Sequence, residues 1–472
     1  MSHAVKFLAF LWLAVIYVSG GELRAAEPPN VLFIFSDDQR FDTIHALGND
    51  QIETPNLDAL VNRGMTFTHT YIMGSTQGAV CVCSRACLLS GRSLYRAPAN
   101  LQGVPLLPKQ LERAGVNTFG IGKWHNGAAS FNSAFEAGDA IFFGGMNNHS
   151  RIPVQPFDPA GKYPKRAELI TDQFSTELFA DKAVAFLKNY QDAKPFFLYL
   201  SLTAPHDPRT PPGKFKTMYD PEKLSLPKSF MPQHPFNNGE LTIRDEQLAP
   251  WPRTTSEVKQ QLADYYGMIS HLDEQVGRVL QALEDSGKAK NTIIVFVGDN
   301  GLAVGKHGLL GKQSLYDHSV RVPLIVAGPG ITAAQRSDAL VYLFDLFPTI
   351  CELTDAKIPD GVEGVSLLPL LRGETAKGRD EIFAAYRDGQ RMVRDKRYKL
   401  IRYPQINRSQ LFDLQDDPEE LNDLSAETTQ AARVSGMLDR LAKLQTIYGD
   451  KLPLTSAKPE PAEVKLPLKG KK

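Results

Sequence analysis

The chain has 472 residues, 42% hydrophobic and 22% charged, with Lys+Arg and Asp+Glu both at 53 and a formal net charge of zero. That length is too great for one small core and suits a large α/β domain with a lesser one. The lack of a basic excess excludes a dedicated nucleic-acid binder, which concentrates Lys and Arg on one face.

In chain order, residues 1–26 read as a secretory signal. Lys6 supplies the positive flank, Phe7 to Val18 is apolar and uncharged, and Leu23-Arg24-Ala25-Ala26 suits a cleavage site. The run falls short of the roughly 20 apolar residues of a membrane span, so an exported protein, periplasmic or secreted, is expected. Asn30 to Phe35 reads as a buried parallel strand. Pro55 to Gly64 reads as a helix, with Thr54 placed to cap it and Leu57, Leu60 and Val61 on one face. A helix from Pro108 to Gly115 precedes a strand from Asn117 to Ile121. Residues 130–166 lack periodicity. Helices are expected at Phe174–Tyr190 and Val258–Ser286, and strands at Pro195–Leu202, Asn291–Val297 and Pro323–Ala327. The stretch 205–252, rich in Pro, Lys and Asn, reads as binding loops.

Strands alternating with helices over 27–373 predict an α/β fold, a mostly parallel central sheet flanked by helices. From 374 to 450 short strands at Phe383–Tyr386, Gln390–Arg394, Tyr398–Tyr403 and Gln410–Leu414 predict a smaller C-terminal antiparallel sheet, followed by a helix from Ala426 to Tyr448. Residues 451–472, rich in Pro and Lys, read as a disordered tail. The four cysteines, three of them at 81, 83 and 87, do not make a disulfide framework, and they lack the paired spacing of a zinc or iron–sulfur site.

Four strands end in polar clusters: Asp37-Asp38, Lys123-Trp124-His125, His206 after Pro205, and Asp299-Asn300-Gly301. In an open parallel sheet these ends emerge along one edge, where ligands bind. One pocket is therefore expected to hold three carboxylates, an amide, two histidines and a lysine. Asp37, Asp38, Asp299 and Asn300 offer only oxygen ligands, which suits Ca²⁺ or Mg²⁺ rather than Zn²⁺. Each pair taken alone also reads as an ordinary turn. Asp207 and Arg209 next to His206 suggest either a grip on an acidic sugar or a local loop pair. Phe142, Phe143 and Trp251 are candidates for stacking on a sugar ring or for the core.

The segment Cys81-Val-Cys-Ser-Arg-Ala-Cys-Leu-Leu-Ser-Gly-Arg92 resembles the sulfatase family signature Cys-x-Pro-Ser-Arg-x-x-x-Leu-Thr-Gly-Arg. Cys83 stands where Pro or Ala is usual, and Ser90 where Thr is. Gly115 to His125 resembles the second signature of that family, and Gly311-Lys312, Tyr316-Asp317 and Arg321-Val-Pro323 resemble its closing segment. The resemblance runs from Asn30 to about Pro418 and implies the alkaline-phosphatase-like fold and hydrolysis of a sulfate monoester, with a sulfated carbohydrate as the leading substrate. It implies Ca²⁺, with Mg²⁺ the lesser alternative, held by Asp37, Asp38, Asp299, Asn300 and residue 81. It further implies that a formylglycine-generating maturation enzyme oxidises Cys81 to the nucleophile. Arg85 then steadies the metal side, Lys123 and His125 hold the nucleophile with His125 as base, and His206 and Lys312 bind sulfate and protonate the leaving group. Two alternatives stay open: a phosphodiesterase or phosphonate monoester hydrolase on the same fold, and a non-catalytic Ca²⁺-dependent binder of sulfated glycans.

Overall fold

The computed structural model describes residues 28–464. The expected signal segment and the last residues of the tail lie outside them. The larger sheet is built from β1 (Asn30–Ser36), β2 (Met65–Tyr71), β4 (Asn117–Lys123), β5 (Ala137–Phe142), β8 (Phe196–Ser201), β9 (Thr292–Gly298), β10 (Arg321–Ala327), β11 (Gln335–Ser337) and β12 (Val341–Tyr342). Its order is β11-β2-β10-β9-β1-β8-β4-β5, with β12 also on β2. The five strands from β9 to β5 run parallel. Only β10 opposes its neighbours, β9 and β2. A two-stranded ribbon of β6 (Pro153–Val154) and β7 (Leu169–Ile170) adjoins β5 through a bridge between Ile141 and Gln155.

The central strands are apolar throughout because helices cover both faces. Alternate side chains of β1 go to different cores. Val31, Phe33 and Phe35 join α2 (Val80–Ser90), α3 (Leu107–Arg113), α4 (Ala128–Ala134) and, further on, the C-terminal region. Leu32 and Ile34 join α1 (Pro55–Arg63), α5 (Ser175–Asn189) and α6 (Thr255–Asp285) on the opposite face. β9 divides in the same way, with Ile293, Val295 and Val297 against Ile294 and Phe296. Short α7 (Asp317–Val320), α8 (Leu346–Leu353) and α9 (Leu368–Leu371) complete this part.

The smaller sheet has the order β16-β15-β14-β13-β3, from β13 (Ile382–Tyr386), β14 (Gln390–Arg394), β15 (Tyr398–Tyr403), β16 (Arg408–Asp413) and the two-residue β3 (Gly74–Ser75), and α10 (Ala431–Tyr448) packs on it. Its four C-terminal strands are antiparallel. β3 comes from the loop just ahead of α2 and pairs parallel with β13. Gly74 has φ 82°, and a Cβ there would sit 2.1 Å from the Ala385 carbonyl oxygen. Only glycine admits that approach.

Three expectations need correction. Thr54 does not cap α1: its hydroxyl donates to Asp58 Oδ1 at 3.0 Å and accepts from His45 N at 2.9 Å. The N-terminal amides of α1 instead donate to Asp273 of α6, from Asn56 N at 3.1 Å and Leu57 N at 2.7 Å. Residues 130–166 carry α4, β5 and β6. Residues 451–464 are an ordered extended strap rather than a disordered tail. Ser456 N donates to Asn407 Oδ1, Glu460 N to Gln405 O, and Asn237 N to Ala462 O, each within 2.8–2.9 Å.

Candidate active site

Parallel pairing of β9, β1, β8 and β4 delivers their C-terminal ends to one edge, as the apolar-run-then-polar pattern requires. Arg85 ties these ends together. It sits at the middle of α2, fully buried. Its Nε donates to Asp299 Oδ2 at 2.9 Å, and one guanidinium nitrogen donates to the Lys123 carbonyl at 3.1 Å and to Ser201 Oγ at 2.6 Å. The guanidinium also lies 4.6 Å from the centre of the Phe35 ring. A single side chain therefore contacts the ends of all four strands.

Cys81 is the second residue of α2, at the end where backbone N–H groups favour an anion. Its Sγ lies 3.3 Å from His125 Nδ1, 3.6 Å from Lys123 Nζ and 4.0 Å from Lys312 Nζ. Burial pushes the thiol up to about 11 against the pull of the two ammonium groups. Lys123 donates to Asp37 Oδ2 at 2.5 Å and Lys312 to Asp38 Oδ1 at 2.6 Å. Burial alone would lower Lys312, but Asp38 and the Cys81 sulfur hold it well above the ordinary lysine value.

The strand ends turn sharply. β4 has a register shift at Ile121–Gly122, and Asp38 and His125 both adopt left-handed backbone, with φ 65° and 68°. Non-glycine residues rarely take that conformation, and it recurs where side chains must be aimed at a site. Tyr265 of α6 holds the Asp38 turn from below, donating to the Asp38 carbonyl at 2.6 Å and accepting from Arg40 N at 2.9 Å.

The donor set fits a hard cation. Asp37 Oδ1, Asp38 Oδ2 and Asn300 Oδ1 are buried without a hydrogen-bond partner. Such orphans in a polar site mark a missing partner. Ligand atoms of Asp37, Cys81 and Asp299 lie within 4.8 Å of one another, as do those of Asp37, Asp38 and His206. Burial and crowding by like charges push Asp37 well up, and burial likewise raises Asp38. Burial would raise Asp299 too, but Arg85, Lys123, Lys312 and the Asp38 amide hold it below the usual carboxylate range. His206 adds to the case. Its Nδ1 donates to the Asp207 carbonyl at 2.8 Å, which leaves the Nε2 lone pair 3.6 Å from Asp38 Oδ2. Two acceptors so placed call for a shared proton or cation.

The ten residues singled out as catalytic or metal-binding candidates therefore meet at this edge: Asp37, Asp38, Cys81, Arg85, Lys123, His125, His206, Asp299, Asn300 and Lys312. Four of them, Cys81, His125, His206 and Lys312, line a cavity of about 320 Å³ whose outer wall includes Gly145, Met146, Ile243, Arg244, Asp245 and Gln313. The expected aromatics do not line it. Phe142 is buried, Phe143 packs 4.7 Å from Tyr163, and Trp251 lies 4.3 Å beneath Arg253. The Asp207–Arg209 pairing is also absent. Arg209 donates to Gln261 Oε1 at 3.1 Å, and Asp207 is taken by Arg244. Arg244 and Asp245 escaped the sequence reading because they sit in a loop without periodicity. Their one signal was an adjacent opposite-charge pair. His149, which bonds the His206 carbonyl at 2.9 Å, gave no signal at all.

Comparison with known proteins agrees with this geometry. The chain resembles an arylsulfatase of Clostridium perfringens, 29% identical over 438 residues, covering 84% of this chain and 90% of that one. It also resembles an N-acetylglucosamine-6-O-sulfatase of Bacteroides thetaiotaomicron, 26% identical over 501 residues, covering 90% and 88%. Among solved structures, a protein in complex with its substrate D-glucosamine-2-N,6-O-disulfate superposes with a TM-score of 0.77 at 24% identity, covering 91% and 99%. The phosphonate monoester hydrolase of Agrobacterium radiobacter gives 0.72 at 24% identity, covering 89% and 96%. A model of the N-sulphoglucosamine sulphohydrolase C-terminal region matches residues 305–447, and the sulfatase model matches residues 29–356. The chain belongs to the sulfatase family of sulfuric ester hydrolases.

Proposed function

We propose that this protein hydrolyses a sulfate monoester on a carbohydrate after export to the periplasm or medium. The observation that carries the reading is the setting of residue 81. It lies between His125, Lys123 and Lys312, beside three unpartnered carboxylate and amide oxygens. The relatives named for sulfated sugars support the carbohydrate assignment.

Asp37, Asp38, Asp299, Asn300 and residue 81 would hold Ca²⁺, which when bound would draw charge from the sulfuryl oxygens. Oxidation by a maturation enzyme would turn Cys81 into formylglycine, whose hydrated aldehyde is the nucleophile. The chain's own side chains then divide the work. Arg85 positions the turn of α2 against the strand ends. Burial and the nearby Lys123 push His125 far down, which keeps its imidazole neutral but weakly basic; what supports its role as base is the placement of Nδ1, 3.3 Å from the residue 81 sulfur. Burial and Lys312 also disfavour a proton on His206; its Nδ1 donates to the Asp207 carbonyl, so Nε2 would bind sulfate only in the protonated ring that the substrate's negative charge favours. Lys312 remains protonated beside Asp38 and so carries a proton for the departing alcohol.

Three measurements test this reading: the mass of the peptide containing residue 81, turnover of 4-nitrophenyl sulfate, and its loss on chelation with recovery by Ca²⁺. An intact thiol together with tight glycan binding and no turnover would favour the binding-protein alternative. Faster hydrolysis of a phenyl phosphonate ester than of the sulfate would favour the phosphonate hydrolase reading, for which the structural likeness speaks.

A further inference from the structure

The rim of the catalytic cavity has a different charge character from its floor. At the floor, two lysines face residue 81. At the rim, Arg244 is the one cationic side chain among the described lining residues apart from the floor's Lys312. Its charge is already spoken for. One guanidinium nitrogen donates to Asp207 Oδ2 at 2.5 Å, and the other to Asp207 Oδ1 at 3.0 Å and Asp245 Oδ1 at 2.5 Å. The second oxygen of Asp245 accepts from Gln313 Nε2 at 2.7 Å. Burial would raise Asp245, but Lys312, Gln313 and Arg244 hold its carboxyl below the usual range, so it stays ionised. Two carboxylates thus share one guanidinium. Arg209, whose Nε donates to Gln261, is not among the residues that line the cavity.

A leaving group with a second sulfate or a carboxylate would find no free cation among the rim residues and would be set against Asp245, with Arg244 already held by Asp207 behind it. Like charges opposed across a contact suppress a partner effectively. Hydroxyl groups suit the same rim, because the Asp245 carboxylate keeps lone pairs beyond those that accept from Arg244 and Gln313, while Met146 and Ile243 offer apolar cover to the C–H face of a ring. The volume of about 320 Å³ stands at the small end of ligand cavities, which run roughly 300–1,000 Å³.

We infer that the preferred substrate is a terminal sugar ring carrying one sulfate and no other charge, and that Arg244 and Asp245 set this specificity. The inference rests on the sulfatase reading above and goes past it by naming the leaving group.

The test is steady-state kcat/KM of the mature full-length enzyme on three kinds of probe. These are methyl galactoside and methyl N-acetylglucosaminide monosulfates at each position, the same glycosides with a second sulfate, and 4-nitrophenyl sulfate. The best monosulfate is expected to exceed its disulfate by at least about tenfold. Asp245→Asn, which removes one rim charge, is expected to narrow that ratio at least about threefold. The wild-type ratio decides the matter should the variant be unstable. A disulfate turned over as well as the monosulfate overturns the inference, and an unchanged ratio in a folded Asp245→Asn removes Asp245 from it. Turnover of the aryl sulfate with no glycoside accepted overturns the inference and leaves the sulfatase reading standing. Absence of any sulfate ester turnover, with a phenyl phosphonate hydrolysed, overturns both.

Discussion

Arg85 Nε and Asp299 Oδ2 stand 2.9 Å apart, with neither side chain exposed to solvent. The pair joins α2 to the end of β9 and so fixes residue 81 relative to the acidic cluster. Removing one partner of a buried ion pair strands the other charge, at a cost of about 3–5 kcal/mol. Arg85→Ala is expected to lose that much in denaturant unfolding. A loss under about 1 kcal/mol would show that Asp299 finds other support and that Arg85 is not the hub described.

Cys81→Ala separates chemistry from folding. The substitution deletes one sulfur from a buried helix and is expected to change stability by about 1 kcal/mol or less. Turnover of 4-nitrophenyl sulfate should fall below detection. Retention of wild-type turnover would remove residue 81 from the reaction.

Gly145 should matter through space alone. A Cβ built there would lie 2.6 Å from His125 Nε2 and 2.8 Å from its Cε1. Gly145→Ala must push the imidazole aside, and a shift of about 1 Å in a catalytic group can cost on the order of 10²-fold. The expected result is a fall in kcat of that order with the melting temperature nearly unchanged. Equal kcat in the variant would mean that His125 is free to move without consequence.

Cys83 lies one turn into α2, its Sγ 3.6 Å from Thr76 Oγ1 and from Gln77 Nε2. Cys83→Ala brings the segment nearer to the family signature. Peptide mass spectrometry should then find a larger formylglycine fraction at residue 81 than in the parent chain. The same fraction in both would mean that position 83 does not govern conversion.

Asp273 gives a pH signature away from the acidic cluster. Burial raises its carboxyl to about 6, against the opposing bonds from Leu57 N and Asn56. The unfolded chain binds that proton only near pH 4. Between the two values the folded state holds more protons, so this group's contribution is complete below about pH 4 and is lost as pH rises to about 6. The full swing is on the order of 3 kcal/mol. Unfolding free energies of the parent and Asp273→Asn should show the parent's advantage shrinking across that window. A flat difference would mean that the α1 amides and the carboxylate compensate one another.

Much of this site could be read from the chain because β1, β4, β8 and β9 each announce themselves as an apolar run closed by polar residues. Parallel topology then does the assembling, so Asp37, Lys123, His206 and Asp299 needed no contact information. What stayed hidden depends on tertiary partners. β3 is two residues long and exists only because Ala385 lies alongside it. The direction of Arg209 was set by Gln261 on α6, and that of Asp207 by Arg244 from a loop without periodicity. Residues 451–464 have the composition of a disordered segment and are ordered by hydrogen bonds with Asn407, Gln405 and Asn237.

Cys81 is 1% exposed, and β3, a few residues before it, is held by a strand more than three hundred positions downstream. An enzyme too large for the cavity mouth would have to act on this thiol before those two segments pair. Once Ile382–Tyr386 docks beside Gly74, the turn ahead of α2 is fixed and residue 81 is left open only to what a cavity of about 320 Å³ admits.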